Sequence, residues 1–230
     1  MSLGSNERLT VGATGESRPV VYVLDDDESM RLALGSLFRS IGLRVELFDS
    51  SQAFLAFPKF DAPCCLVLDV RLRGESGLAF QDELARNGLQ MPIVFMTGHG
   101  DIAMTVKAMK AGAVDFLAKP FREQDMLDAV SNALARDGER LAADRSCAAL
   151  RASYESLTPR EREVLGFVVT GMLNKQIASA MNLSEITVKI YRGQVMKKMA
   201  ARSVADLVRK AEVLHVGPPA SSVTAGSMPR

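Results

Sequence analysis

The sequence predicts an α/β chain: a five-stranded, parallel, doubly wound sheet domain, then a second, all-α helix-turn-helix domain, joined by a largely helical linker. Three observations predict it. Between Val20 and Lys119 the short apolar runs VVYVL, CCLVLDV, PIVFMT and VDFLAK alternate with longer stretches of helical periodicity, as buried strands alternate with their covering helices. From Leu157 onward, cap signals mark out helices in close succession. Charge divides along the chain too: residues 19–136 carry 12 Lys/Arg against 16 Asp/Glu, whereas residues 158–212 carry 10 against 5. A mildly acidic part therefore precedes a basic part that can approach a polyanion, although the whole chain nets only +1.

At 230 residues, 47% hydrophobic and 24% charged, the chain has apolar material for one large domain or two small ones. No apolar run approaches the roughly 20 residues that span a bilayer. The first twenty residues also lack the apolar stretch of a signal peptide, so the expectation is a cytoplasmic protein with no membrane partner. Cys64 and Cys65 are adjacent in an apolar run and Cys147 stands alone, which predicts reduced thiols packed as small hydrophobes rather than a disulfide or a metal set.

Taken in order, residues 1–18 are polar and Gly/Ser-containing and read as a flexible tail. Residues 19–136 form the sheet domain. VVYVL supplies its first strand, the weaker run Arg44 to Phe48 its second, and CCLVLDV, PIVFMT and VDFLAK the rest, with a last helix from about Arg122 to Arg136. Gly42, Gly88 and Gly112 each follow a helical stretch, where a left-handed cap favours glycine. Residues 137–156, rich in Ala, Arg and Glu, read as a partly helical linker that Gly138 interrupts at its start. Residues 157–215 form the second domain and 216–230 a flexible tail.

In an open parallel sheet, ligands sit at the carboxyl ends of the strands. The first strand ends in Asp25-Asp26-Asp27-Glu28 and the third carries Asp69 near its end. If those strands are neighbours, Asp25, Asp26 and Asp69 converge, and crowded carboxylates call for a cation. An all-oxygen donor set of high charge density suits Mg²⁺. The fourth strand delivers Thr97 to the same edge and the fifth delivers Lys119, which together provide a hydroxyl and an ammonium for a phosphoryl group on Asp69. Asp69 is the nucleophile in this reading. An Asp after a strand is ordinarily a helix cap, and Asp27 or Glu28 fits that role here.

In the second domain, Thr158-Pro159-Arg160-Glu161 combines a Thr cap, a Pro at the first helical position and a capping-box Glu. That helix runs to about Thr170, where Gly171 ends it; a short helix from Asn174 stops near Asn182, and Ser184 caps a third. On the third helix Val188, Tyr191, Val195 and Met199 share one face and should point inward. Lys189, Ile190, Gly193 and Lys197 share the other, with Arg192 at the flank within reach of phosphate. Gly193 reads equally as a tolerated defect or as room for close backbone approach.

VYVLDDDES, CLVLDVRL, PIVFMTGHGD and KAGAVDFLAKPF resemble receiver domains of two-component response regulators, especially the FixJ branch of the FixJ/NarL family, over roughly Pro19 to Arg136. The resemblance implies that Asp69 accepts phosphate from a sensor histidine kinase. It also implies that Asp25, Asp26, Asp69 and the Arg71 carbonyl hold Mg²⁺, that Thr97 and Lys119 sense the phosphate, and that Phe116 is the aromatic switch that turns inward. His99, in TGHGD, reads as a loop position serving conformational coupling rather than as a general base. One departure is Arg73-Gly74 where many relatives have Pro-Gly, which should loosen the loop and alter phosphorylation and dephosphorylation rates.

Residues Leu157 to Lys210 closely resemble the LuxR-type helix-turn-helix. By that resemblance Ser184 to Met199 is the recognition helix, Lys189, Ile190 and Gly193 face bases, and Asn174 and Lys175 lie close to the backbone of double-stranded DNA. Tyr191 stands where most relatives carry His. The implied protein is a transcription regulator rather than an enzyme, one that forms a homodimer on phosphorylation and works with RNA polymerase as an activator. Apolar Ile102, Met104, Val106 and Met109 suit the dimerising surface, although such a stripe also suits a core.

Two other classes fit parts of the chain. Asp25-x-Asp27 after a strand is also the spacing of an Asp-nucleophile phosphatase of the haloacid dehalogenase type, but the domain has no room for a cap. A DNA-binding protein that keeps the first domain only as a scaffold would have no need of Asp25, Asp26, Asp69, Thr97 and Lys119 together.

Overall fold

The computed structural model describes residues 18–98 and 102–217. His99 and most of both tails lie outside the described residues. The chain divides into two compact units between Leu141 and Ala142.

In the first unit β1 (Val20–Leu24), α1 (Glu28–Ser40), β2 (Arg44–Phe48), α2 (Ser51–Ala56) and β3 (Cys64–Asp69) follow one another. After a short antiparallel hairpin, β4 (Arg71–Leu72) and β5 (Glu75–Ser76), come α3 (Gly77–Arg86), β6 (Ile93–Thr97), α4 (Ile102–Lys110), β7 (Asp115–Ala118) and the start of α5 (Glu123–Glu155), whose residues from Ala142 on belong to the second unit. The five long strands are all parallel, in the order β2-β1-β3-β6-β7. This is the doubly wound sheet that the alternating pattern predicts. β1 and β3 are buried at every position because helices cover both faces.

One face packs Phe54 of α2, Phe80 and Leu84 of α3 and Ala108 of α4 against Tyr22, Leu66 and Phe95. The other packs Leu34 and Phe38 of α1 and Met126 and Val130 of α5 against Val21, Val67 and Met96. Each Leu, Val, Phe or Met among them contributes roughly 1.5–3 kcal/mol when fully buried. Gly42, Gly88 and Gly112 take positive φ of 84°, 71° and 94° beyond α1, α3 and α4, as the cap reading requires.

Two local expectations, on Gly138 and on Cys147, are corrected. Gly138 does not interrupt the helix: α5 runs unbroken from Glu123 to Glu155. Gly138 is held in the helix because the neighbouring buried Asp137 side chain accepts the Cys64 N–H at 2.8 Å and pairs with Arg140 at 2.8 Å. The Arg73-Gly74 loop itself is the turn of the β4–β5 hairpin, with Gly74 at φ 80°, Leu72 against the core and Glu75 accepting a hydrogen bond from Ser51. Finally, Cys64 and Cys65 are buried thiols as expected, but Cys147 is exposed. Burial pushes the Cys64 thiol up to about 12.

The second unit contains α6 (Pro159–Val169), α7 (Asn174–Met181), α8 (Glu185–Lys198) and α9 (Val204–Val213). Both halves of the α6 capping box form: Thr158 Oγ1 accepts from Glu161 N at 3.3 Å, and Glu161 Oε2 accepts from Thr158 N at 2.7 Å. Gly171 and Asn182, at φ 82° and 53°, end α6 and α7, and Ser184 caps α8 through Thr187 N at 3.1 Å. A single core gathers Val164, Leu165, Ile177, Val188, Val195 and Met199, and α9 adds Leu207 and Ala211.

Candidate functional site

β1 and β3 are hydrogen-bonded neighbours in register, so their carboxyl ends bring Asp25 and Asp69 together. β6 and β7, in register from Val94↔Asp115 to Thr97↔Ala118, bring Thr97 and then Lys119 to the same edge. Lys119 Nζ donates to Asp25 Oδ2 and to Asp69 Oδ2, each at 2.7 Å. The other oxygens of those carboxylates accept backbone N–H groups, Asp27 N on Asp25 Oδ1 at 2.9 Å and Arg71 N on Asp69 Oδ1 at 3.0 Å. Both carboxylates are thereby fixed in orientation.

Asp25, Asp26 and Asp69 place one carboxylate oxygen each within 4.8 Å of one another. An oxygen-only set of this size fits a small hard cation, since the lone pairs not used by N–H donors remain to ligate. Asp25 is fully buried and Asp69 is 8% exposed. Burial pushes the Asp25 carboxyl above its ordinary range, only partly opposed by the Lys119 ammonium. Burial acts to lower Lys119 as well, but its hydrogen bonds to Asp25 and Asp69 outweigh that, and the ammonium is held above its usual value. Lys119 is thus charged and committed to both carboxylates.

Thr97 is fully buried at the end of β6, and its carbonyl accepts the Lys119 N–H. Phe116, on β7, is half-buried with its ring centroid 6.2 Å from that of Phe95. Asp27 takes the cap role, its carboxylate accepting from Ser29 N at 2.9 Å at the start of α1. That use removes Asp27 from a phosphatase-like pair with Asp25.

Sequence reasoning missed three contributors. A Cβ on Gly77 would overlap the Asp69 backbone carbonyl, so only glycine lets α3 start against the end of β3. The exposed Arg73 guanidinium reaches back from the hairpin turn to Asp26, Nε to Oδ2 at 3.2 Å. Asp137 anchors α5 to the first residue of β3. The last two are contacts between segments 47 and 73 positions apart, and the first depends on how closely α3 approaches the end of β3.

In the second unit, Lys189, Ile190, Gly193 and Lys197 are all exposed on α8, opposite buried Val188, Val195 and Met199 and half-buried Tyr191. Nothing lies within 4 Å of a Cβ built on Gly193. Lys175 is exposed at the start of α7. Arg192 is half-buried and donates to Asn174 Oδ1 at 2.6 Å, which ties the middle of α8 to the start of α7.

Residues 21–131 match the family described as response regulator receiver domains, and residues 155–211 match the bacterial regulatory proteins of the luxR family. The chain is 56% identical to nodulation protein W of Bradyrhizobium diazoefficiens over 87% of its own length and 88% of that protein. The chain belongs to the response regulators. In it a receiver domain precedes a LuxR-type DNA-binding domain. The response regulator protein TodT of Pseudomonas putida is 49% identical over 85% of this response regulator and 86% of that protein. Among solved structures, the response regulator StyR shares 45% identity with a TM-score of 0.78, covering 85% of this chain and 99% of that one. Full-length FixJ from B. japonicum shares 36% identity with a TM-score of 0.52, covering 87% and 98% respectively. No helix among the described residues is long and apolar enough to cross a membrane.

Proposed function

We propose that Asp69 is the phosphoacceptor of this response regulator and that its phosphorylation by a sensor histidine kinase promotes dimerisation and binding to double-stranded DNA. The observation that carries the reading is the Lys119 ammonium held at 2.7 Å from both Asp25 and Asp69, beside Asp26. An Asp69 carboxylate oxygen attacks phosphorus, the P–N bond to the donor imidazole breaks, and the bonding pair leaves on nitrogen. Lys119 is positioned to follow the negative charge from carboxylate to phosphoryl oxygen, and Thr97 to donate a hydrogen bond once the phosphoryl group is attached. Asp25, Asp26, Asp69 and the Arg71 carbonyl would hold Mg²⁺, whose role when bound is to neutralise phosphoryl oxygens.

Loss of the Lys119–Asp69 bond on phosphorylation would let Phe116 turn inward and remodel the α4 surface. Ile102, Val106 and Met109 of α4 are 82%, 45% and 43% exposed, which supports α4 as the dimer face. Met104 instead packs on the core. In the dimer two copies of α8 would meet half-sites about one turn of DNA apart. Lys189, Ile190 and Gly193 would face bases, and Lys175, Asn174, Arg192 and Lys197 the backbone. Activation through RNA polymerase, a cytoplasmic setting and regulation without enzymatic turnover complete the reading, supported by the transcriptional role of the family. Incubation with acetyl phosphate and Mg²⁺ tests its chemistry: one labile phosphoryl adduct is expected on the wild type and none on Asp69→Asn. An adduct that survives in the variant overturns the assignment.

A further inference from the structure

The three carboxylates at the strand ends are neutralised in two different ways. Asp25 and Asp69 share Lys119, whose side chain is only 18% exposed, while Asp26 is paired with Arg73, which is 85% exposed and makes a single contact of 3.2 Å. We propose that Arg73 is a built-in competitor for the cation site: it covers Asp26 until Mg²⁺ displaces it, and so sets the Mg²⁺ concentration at which Asp69 becomes reactive. The inference rests on the reading of Asp25, Asp26 and Asp69 as a Mg²⁺ site.

The hairpin makes the competition effective. Arg73 and Gly74 form the turn between β4 and β5, Leu72 is anchored against the core, and Glu75 is bonded to Ser51. The guanidinium is thus tethered a few residues from Asp69 and stays concentrated near Asp26 without being locked there. Of the two cations, Arg73 is the one that yields. Lys119 is half-buried with two short charged hydrogen bonds, whereas an exposed ion pair such as Arg73–Asp26 contributes little and is readily replaced by a divalent ion.

The test is calorimetric titration of the full chain with MgCl₂ at low ionic strength, comparing wild type with Arg73→Gln and Arg73→Ala. Both variants are expected to bind Mg²⁺ about two- to fivefold more tightly, the range that an exposed ion pair implies. The gain should fade toward roughly 1 M salt, where the Debye length falls to about 3 Å. With acetyl phosphate as donor, the Mg²⁺ concentration giving half-maximal phosphorylation falls by the same factor, while the rate at saturating Mg²⁺ is unchanged. Mere loosening of the hairpin would lower the saturating rate instead. Equal or weaker Mg²⁺ binding in the variants overturns the role of Arg73 and leaves the metal site standing. Absence of Mg²⁺ binding in every protein overturns both.

Discussion

At the scale of single residues, backbone crowding around Asp69 decides the most. A side chain at Gly77 would force the Asp69 carbonyl and the start of α3 apart. Gly77→Ala should therefore cost about 1–3 kcal/mol in receiver stability, the range for forced overpacking, and slow phosphorylation by acetyl phosphate; an unchanged unfolding midpoint and rate would contradict this. At Gly193 the space is open, so Gly193→Ala should stabilise the second domain by roughly 1 kcal/mol. Lower DNA affinity in that variant would mean that α8 lies close against the groove floor. Lys175→Ala should weaken binding to every DNA sequence alike and reduce the salt slope by about 1. The carboxylates, Thr97 and Lys119 were legible in the sequence because strand ends in a parallel sheet converge by topology. Arg73–Asp26 was not, because the path of a surface loop depends on contacts such as Leu72 on the core and Glu75 with Ser51.

Elements show the same division between local and long-range causes. The α6 capping box was readable because all its residues lie within one turn, whereas the Lys198–Glu161 pair at 2.7 Å joins α8 to α6 across 37 positions. The Lys198 ammonium holds the Glu161 carboxyl below its usual range, with the Thr158 backbone N–H adding to the effect. A depressed carboxyl contributes stability that is complete above the ordinary Glu pKa and is lost as pH falls through its lower folded value. Thermal unfolding of the full chain should therefore show a wild-type advantage over Lys198→Ala at neutral pH that disappears under acid conditions below the ordinary Glu range. An advantage independent of pH would contradict the pairing. α5 was misjudged at Gly138 for the converse reason: local composition suggested a break, and the buried bond from Cys64 N to Asp137 outweighed it. Asp137→Ala strands a buried N–H and should destabilise the receiver by about 1–3 kcal/mol.

At the scale of the whole molecule, the charge division read from the sequence corresponds to two units of different character, one carrying the carboxylate cluster and one a basic helical domain. Fold class and family were legible because strand alternation and helix caps are repeated local signals. The exposed apolar side chains of α4 were not, since Ile102, Val106 and Met109 fit a core stripe equally well until the helix is placed on the sheet. Ile102→Glu, at the most exposed of these positions, should abolish phosphorylation-dependent dimerisation in light scattering and leave the Asp69 adduct intact. The central claim is that Asp69 governs DNA binding, and one measurement addresses it directly. Duplexes selected from a random pool by the phosphorylated wild type are titrated with wild type and Asp69→Asn, each with and without acetyl phosphate and Mg²⁺. The account predicts tighter binding only for wild type with phosphodonor; equal affinity in all four titrations would contradict it.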